Sequence, residues 1–179
     1  MDVRDGTIVY KLKVINVGSG RVGKTSLVIR FAQNRFSTQY ITTLGVDFYS
    51  KLIKIDEETS IKMVLFDTQG QENYAPLRKK YYIGAQAAVI TYDTTNRQSF
   101  EAVDFWINEV KSQCPNIPLF IVGNKVDLKE ERQISLEEAE KRYGQNYTVK
   151  EASAKTGYKV EEVFTTIAKD ILHKGVELL

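Results

Sequence analysis

Residues 18–25 read Gly18-Ser19-Gly20-Arg21-Val22-Gly23-Lys24-Thr25, which matches the pattern G-x-x-x-x-G-K-[ST]. The stretch follows an apolar run at residues 10–17 that predicts a β-strand, and it opens a segment, 23–33, whose apolar side chains recur at helical spacing. Glycines in such a loop let successive backbone N–H groups point at a polyphosphate, and the N-terminus of the helix adds a favourable dipole. The sequence therefore predicts a phosphate-binding loop between a strand and a helix, with ATP and GTP both still open.

Two side chains of this loop are predicted to act on the phosphates directly. Lys24 reaches the outer phosphates, and the hydroxyl group of Thr25 coordinates Mg²⁺. The nucleotide-contacting residues predicted here are Gly18, Ser19, Gly20, Arg21, Val22, Gly23, Lys24, Thr25 and Ser26.

Strands and helices alternate along the rest of the chain. Short apolar stretches predict strands at residues 48–55, 61–66, 87–90 and 119–122. Apolar stripes at helical spacing predict two further helices at residues 100–110 and 160–172. This order predicts an α/β fold with a six-stranded, mostly parallel sheet, one antiparallel edge strand and five helices on both faces. Ligands of such sheets bind beyond the carboxyl ends of the strands.

Composition limits the class of protein. The 179 residues suit one domain, residues 1–179, and 42% hydrophobic with 27% charged residues is typical of a folded chain rather than a disordered or membrane protein. The net charge of +2 is too balanced to indicate nucleic acid as a partner. With one cysteine, Cys114, and one histidine, His173, the chain has no internal disulfide and no His/Cys metal cluster. No stretch approaches the roughly 18 apolar residues of a transmembrane helix, so we expect a cytoplasmic protein.

A second motif addresses the base. Residues 124–127 read Asn124-Lys125-Val126-Asp127 and follow the buried strand at 119–122, so we expect their side chains at its carboxyl end. The carboxylate of Asp127 can accept hydrogen bonds from the ring N–H and the exocyclic amine of guanine, an edge that adenine lacks. Lys125 would lie along the plane of the base, and Asn124 would tie this loop to the phosphate loop. The motif favours guanine and argues against a P-loop ATPase or kinase.

A third motif, Asp67-Thr68-Gln69-Gly70-Gln71, follows the predicted strand at residues 61–66. An aspartate in this position can hold Mg²⁺ through water, and Gly70 lets its own backbone N–H approach the terminal phosphate. Gln71 could then orient an attacking water. Together with Lys24, these residues predict hydrolysis of the terminal phosphate.

The three motifs, in this order, resemble those of the small GTPases of the Ras superfamily, and the chain is most similar to the Rab family. The resemblance covers about residues 8–173, the core of the domain, and implies the P-loop NTPase fold of a small G domain. It also includes Thr43-Leu44-Gly45-Val46-Asp47-Phe48, Tyr81-Tyr82-Ile83-Gly84-Ala85-Gln86, Tyr92-Asp93-Thr94-Thr95 and Glu151-Ala152-Ser153-Ala154-Lys155.

The resemblance implies roles for further residues. Thr43 resembles the switch I threonine, whose hydroxyl ligates Mg²⁺ only when a terminal phosphate is present, and Phe36 resembles the aromatic that packs on the guanine. Ser153 would buttress the base site. The backbone of Ala154 would contact the guanine oxygen, and Lys155 would flank the base.

The resemblance also implies protein partners. Phe48, Phe66 and Tyr81 resemble the exposed hydrophobic triad that Rab effectors read, although the middle position is usually tryptophan. The alternative for these three aromatics is plain core filling, because sequence alone does not distinguish exposed from buried rings. An exchange factor and a GTPase-activating protein are expected as regulators.

Three departures from the family pattern bear on activity. Gln69 stands where the family almost always has alanine, and its long amide beside Mg²⁺ and the terminal phosphate would obstruct closure or displace the attacking water. Arg21 stands where the family commonly has glycine, and we expect a solvent-facing side chain there rather than an internal arginine finger. Residues 174–179 contain no cysteine for prenylation, so we expect membrane attachment only through a lipidated tail not present here.

The sequence thus predicts a guanine-nucleotide switch that binds GTP or GDP with Mg²⁺ and hydrolyses GTP slowly, in signalling of the vesicle-trafficking type. Gln71 and Lys24 are the predicted catalytic residues. The predicted metal ligands are Thr25, Thr43 and Asp67. The alternative is a nucleotide-binding interaction module that hardly hydrolyses GTP because of Gln69.

Overall fold

The computed structural model describes residues 2–4, 7–39, 45–68 and 75–173. Within these ranges, a seven-stranded sheet carries helices on both faces. The strands are β1 (Asp2–Arg4), β2 (Thr7–Val17), β3 (Val46–Lys54), β4 (Thr59–Thr68), β5 (Ala87–Asp93), β6 (Leu119–Asn124) and β7 (Thr148–Glu151). The helices are α1 (Lys24–Gln33), α2 (Ala75–Tyr82), α3 (Arg97–Glu101), α4 (Val103–Gln113), α5 (Leu136–Tyr143) and α6 (Val160–His173).

The strands lie in the order β3-β4-β2-β5-β6-β7, and β1 pairs with β2 beside this path. All pairs from β4 to β7 are parallel, whereas β3 is antiparallel to β4 and forms an edge. The predicted α/β fold, with a six-stranded and mostly parallel sheet and one antiparallel edge strand, is thus confirmed. The structure adds β1, which pairs antiparallel with β2. Its three residues are too few to show the alternation that reveals a strand in sequence.

The helix predicted over residues 100–110 consists of two consecutive helices, α3 and α4. They meet at Ala102, whose φ of −73° and ψ of −8° remain in the right-handed helical region. Phe100 of α3 and Val103 of α4 are both fully buried in the same core. The predicted apolar stripe therefore continues across the junction, and the five predicted helices correspond to α1, α2, the α3–α4 pair, α5 and α6.

Two hydrophobic cores fill the two sides of the sheet. On one side α1 and α6 cover the strands, and the rings of Phe31 and Phe164 stack with their centroids 4.3 Å apart. On the other side Trp106 of α4 and Tyr143 of α5 are buried against strand residues such as Ile90. Burying one large apolar side chain stabilises the fold by roughly 1.5–3 kcal/mol. None of the helices in the described ranges is both long and apolar enough to cross a membrane.

The topology brings the three sequence motifs to one edge of the sheet. Because β2, β4, β5, β6 and β7 are parallel, their carboxyl ends lie together. β2 ends at Val17 before the phosphate loop, β4 ends at Thr68 after Asp67, and β6 ends at Asn124. Residues far apart in the chain therefore meet at this edge.

Candidate functional site

The phosphate loop has a backbone that two of its glycines make possible. Gly18 has a φ of 141°, and a Cβ there would lie 2.2 Å from the carbonyl oxygen of Thr91. Gly23 has a φ of 93°, and a Cβ there would lie 2.3 Å from Nδ2 of Asn124. L-residues with a side chain rarely adopt such φ values. The loop is therefore pressed against β5 on one side and against the last residue of β6 on the other.

Lys24 lies across this loop at the start of α1. Its ammonium donates hydrogen bonds to the carbonyl oxygens of Gly18 and Ser19, each at 2.8 Å. The residue is only 6% exposed, although lysine is almost never buried without partners. The ammonium thus lies inside the curve of the loop, where a polyphosphate would exchange carbonyl oxygens for phosphate oxygens. The contact of Lys24 with the outer phosphates stays a prediction from the motif.

Asn16 supports the loop from behind, and the sequence analysis gave it no role. Its Nδ2 donates to the carbonyl oxygen of Lys24 at 3.1 Å, and its Oδ1 accepts from Oγ1 of Thr91 at 3.0 Å. Its own carbonyl oxygen accepts from Oγ1 of Thr68 at 2.7 Å. The available signal was an asparagine within the apolar run Val14-Ile15-Asn16-Val17, because a buried polar side chain requires partners.

Thr25 and Asp67 form a pair of oxygen ligands at the edge of the sheet. The hydroxyl of Thr25 donates a hydrogen bond to Oδ2 of Asp67, and the carboxylate is fully buried at the end of β4. Hydroxyl and carboxylate oxygens are the hard ligands that Mg²⁺ prefers, and Mg²⁺ usually takes only one or two carboxylates beside substrate phosphates. The donor set therefore fits the predicted metal ion.

Asn124 joins the two ends of the site. Its Nδ2 donates to the carbonyl oxygen of Val22 in the phosphate loop at 3.0 Å. Its Oδ1 accepts from the backbone N–H of Ala154 at 3.1 Å, and the residue is 1% exposed. The tie between the 124–127 loop and the phosphate loop, expected from the sequence, is present in the structure. The same amide also anchors the loop after β7.

Asp127 and the loop after β7 face each other where the sequence predicts the base to bind, a part of the structure called the base region below. Oγ of Ser153 donates to Oδ1 of Asp127 at 2.6 Å, and Nζ of Lys155 lies 3.9 Å from Oδ2 of Asp127. Oγ of Ser153 also accepts from the backbone N–H of Thr156 at 3.1 Å. Ser153 therefore holds the carboxylate and its own loop together, which fits the buttressing role that the resemblance implies.

Lys125 has a partner that the sequence analysis did not identify. Its ammonium lies 2.5 Å from Oδ2 of Asp93, whose side chain is 8% exposed at the end of β5. The other oxygen of Asp93 accepts from the backbone N–H and the hydroxyl of Thr95, at 2.8 and 2.7 Å. Lys125 has a positive φ of 70°, and the ion pair fixes this unusual backbone beside the base region.

Tyr92 and Gly123 pack tightly behind the base region. A Cβ on Gly123 would lie 2.7 Å from Oη of Tyr92. Burial is the main cause that raises the pKa of the Tyr92 phenol, so the group stays neutral throughout the physiological range. The segment from Asn124 to Asp127 therefore follows a closely packed and uncharged contact.

Phe36 lies at the other side of this region. It is 36% exposed, and its ring centroid is 6.0 Å from the guanidinium carbon of Arg30. An exposed aromatic ring at this edge is available to stack on a planar base.

Arg21, in the phosphate loop, is exposed and has a φ of 65°.

The structure brings the three predicted effector aromatics together. The ring centroids of Phe48 and Phe66 are 4.7 Å apart in an edge-on arrangement, and Tyr81 lies 5.9 Å from Phe48 and 6.5 Å from Phe66. Phe48 is 55% exposed, so it does not serve as plain core filling. The ammonium of Lys13 lies 4.3 Å from the Phe66 centroid and donates to the carbonyl oxygen of Ile83 at 2.6 Å.

Four of the predicted site residues lie outside the described residues. They are Thr43, Gln69, Gly70 and Gln71. Their assignments stay predictions from the sequence motifs and from the resemblance.

Comparison with known proteins assigns most of the chain to one family. The profile of the Ras family matches residues 13–173. The chain is 42% identical over 170 residues to the Ras-related protein Rab-1 of Theileria parva, across 92% of this chain and 76% of the relative. It is 39% identical over 168 residues to the Ras-related protein Rab-8B of Bos taurus, across 92% of this chain and 80% of the relative. The region that contains the site is thus shared with these relatives.

Proposed function

This chain belongs to the Ras family, and from that premise we propose how its residues bind and hydrolyse guanine nucleotide. It is a Rab-like small GTPase, a switch of vesicle trafficking that binds GTP and GDP and hydrolyses GTP. The observation that best supports our residue assignments is the side chain of Asn124, which bonds to Val22 and to Ala154. The two bonds fix the distance between the phosphate-binding loop and the base-binding loop, as the binding of one nucleotide to both loops would require.

We assign the base to the loops after β6 and β7. Asp127 accepts from the ring N–H and the exocyclic amine of guanine, with Ser153 holding the carboxylate in place. The backbone N–H of Ala154, which donates to Asn124, would share its hydrogen with the guanine oxygen, and Lys125 and Lys155 flank the ring. Phe36 covers the base from the side of α1.

We assign the phosphates to residues 18–26. The backbone N–H groups of the loop and the N-terminus of α1 surround the β-phosphate, and Lys24 moves its hydrogen bonds from the loop carbonyls to the outer phosphates. Mg²⁺, which is general for this family, would be held by Thr25, Thr43 and Asp67 and would neutralise charge on the phosphate oxygens.

Hydrolysis requires in-line attack of water on the terminal phosphorus, while the bond to the bridging oxygen of GDP breaks. We propose that Gln71 orients the water and that Lys24 stabilises the charge that develops on the transferring group. No arginine lies among residues 37–43. The intrinsic rate is therefore slow, because a stabilising arginine supplied by a partner can be worth roughly 10³–10⁵ in rate.

The switch follows from the terminal phosphate. In the GTP state the phosphate ties Thr43 and Gly70, and the two segments around them become ordered. Hydrolysis removes the only group that differs between the two states, so the segments relax. Effectors would then read Phe48, Phe66 and Tyr81, while an exchange factor and a GTPase-activating protein would set the two rates of the cycle. We place this activity in the cytoplasm, with membrane contact only through a lipidated tail.

Single-turnover hydrolysis of preloaded GTP tests the assignment. We expect Gln71→Ala to lower the rate constant by at least about tenfold, equal to about 1.4 kcal/mol in barrier. Gln113→Ala, at the exposed end of α4, is the matched control and leaves the rate unchanged. Equal rates for the parent and Gln71→Ala would remove Gln71 from the mechanism. Retained GTP without any hydrolysis by the parent would favour the interaction-module alternative instead.

A further inference from the structure

Arg30, near the end of α1, is bonded to the loop after β7 although 124 residues separate the two in sequence. Its Nε donates to the carbonyl oxygen of Ala154 at 2.8 Å, and its Nη2 donates to the carbonyl oxygen of Lys155 at 2.7 Å. Ala154 is 3% exposed, so its peptide has little access to water and depends on protein partners. Arg30 thus holds two consecutive carbonyl groups of the base-binding loop.

The remaining nitrogen of the same guanidinium, Nη1, contacts the segment between the end of α1 and Phe36. Nη1 donates to the carbonyl oxygen and to Oδ1 of Asn34, each at 3.3 Å. Asn34 ends α1 with a left-handed φ of 52° and ψ of 38°. Two residues later, the ring of Phe36 has its centroid 6.0 Å from the guanidinium carbon. One planar group therefore contacts both the base-binding loop and the segment that carries the predicted base-stacking aromatic.

The base-binding loop is held from two opposite directions. The backbone N–H of Ala154 donates to Asn124 on the side of the site, and its carbonyl oxygen accepts from Arg30 on the side of α1. Loss of either partner leaves a nearly buried peptide group without its bond and lets the loop move. The position of the Ala154 N–H, which faces the guanine oxygen in our assignment, therefore depends on Arg30.

We propose that Arg30 is a positioning residue that couples the segment 34–36 to the base-binding loop, so that displacement of this segment speeds the release of guanine nucleotide. The proposal rests on the function proposed above, since it requires guanine beside Asp127 and Ala154. The chemistry is specific to arginine. A guanidinium presents its donors in a rigid fork, whereas a lysine ammonium is a single point that cannot serve both carbonyl groups and Asn34 in this geometry.

The dissociation rate of a fluorescent GDP analogue from the whole, Mg²⁺-loaded chain tests the proposal. We expect Arg30→Lys, which keeps the charge and most of the aliphatic stem, to raise this rate at least tenfold. Arg142→Lys, at an ion-paired arginine of α5 on the other side of the sheet, is the matched control and stays within twofold of the parent. A rate for Arg30→Lys within twofold of the parent would overturn the proposal. If Arg30→Lys fails to fold, as judged by circular dichroism, Arg30→Gln takes its place in the same comparison.

Two further measurements separate coupling from a merely structural role. Phe36→Leu is expected to speed dissociation in the parent and to have a smaller effect in the Arg30→Lys background, because the link is already broken there. Multiplicative effects of the two substitutions would refute the coupling. Hydrogen exchange at the Ala154 amide should rise in Arg30→Lys and not in Arg142→Lys. If the parent itself does not bind GDP, the proposed function fails; if it binds and Arg30→Lys releases GDP normally, only the coupling fails.

Discussion

The phosphate end and the base end of the site are built in different ways. At the phosphate end, contiguous residues form the loop, Lys24 bonds to carbonyl groups five and six residues earlier, and two glycines permit the close backbone approach. At the base end, the side chain of Asp127 accepts from Ser153, 26 residues later, and the side chain of Asn124 accepts from the backbone of Ala154, 30 residues later. The first end is one contiguous backbone segment packed on the sheet, whereas the second is assembled from side chains of separate loops. Substitutions should therefore act on backbone geometry at one end and on side-chain chemistry at the other.

The largest effect is expected at the phosphate end from Gly18→Ala. The new Cβ would lie 2.2 Å from the carbonyl oxygen of Thr91, so the loop must move and its N–H groups lose their common direction. Each lost charge-assisted hydrogen bond costs about 1.5–3 kcal/mol, so we expect GDP affinity to fall by more than 1000-fold in a titration. Gly84→Ala is the control, because Gly84 also has a positive φ of 74° but has open space around it. Equal affinities for the two variants would contradict the backbone argument.

Asp127→Asn should remove guanine selectivity with the loop geometry unchanged. An amide presents a donor to one of the two guanine hydrogens, so we expect a loss of GDP affinity of roughly 100-fold or more. Inorganic pyrophosphate lacks a base, so its own affinity should be the same for the variant as for the parent. Asp170→Asn in α6 serves as the control substitution. Unchanged GDP affinity would disprove the assignment of the base pocket.

Asn124→Ala should affect both ends at once. It removes the bonds to Val22 and Ala154 and leaves two backbone groups without their buried partner, which costs about 1–3 kcal/mol for each group. We expect faster GDP dissociation, by roughly tenfold, and a lower free energy of unfolding in urea. Asn108→Ala, on the exposed face of α4, is the control. A change in the GDP dissociation rate without a change in the free energy of unfolding, or the reverse, would mean that the two ends are independent rather than linked through this amide.

Gln69→Ala should change the rate of hydrolysis without changing affinity. We expect the single-turnover rate constant at saturating Mg²⁺ to rise by a few-fold or more, on the order of 1–2 kcal/mol in barrier, because the long amide that the motif predicts beside the attacking water is replaced by a methyl group. GDP affinity, which depends on the loop and on the base end, should stay within twofold. An unchanged or lower rate would instead place Gln69 among the residues that assist catalysis.

The contrast between the two ends also explains what could be predicted from the sequence. The positions of Lys24, Asp67 and Asn124 follow from motifs that come directly after apolar strands, and parallel strands bring their carboxyl ends to one edge. Most of the fold was predictable for the same reason, since buried strands and amphipathic helices repeat with different periods. The three-residue strand β1 was not, because its pairing with β2 is a tertiary contact without a periodic pattern.

The contacts that escaped sequence reasoning all join distant parts of the chain. The ion pair of Lys125 with Asp93 spans 32 residues, and the bonds from Arg30 to Ala154 and Lys155 span 124 and 125 residues. The sequence shows that such residues are charged, but it does not show which charged group or carbonyl group lies opposite each of them. Asn16 was partly predictable. An amide within an apolar run indicates that hydrogen-bond partners exist, but only the fold identifies them.

The two edges of the sheet have a consequence for self-association. Unpaired backbone groups on an edge strand can pair with a strand of another molecule, and short edge strands or lysines oppose this. The edge strand β7 has only four residues, and the edge strand β3 carries Lys51, which bonds to Glu161 at 2.6 Å, and an exposed Lys54. Edge-to-edge pairing of β3 with β3 of a second copy would bring the lysines of the two strands together. The short β7 and the lysines of β3 therefore oppose the addition of a neighbour's strand at these two edges.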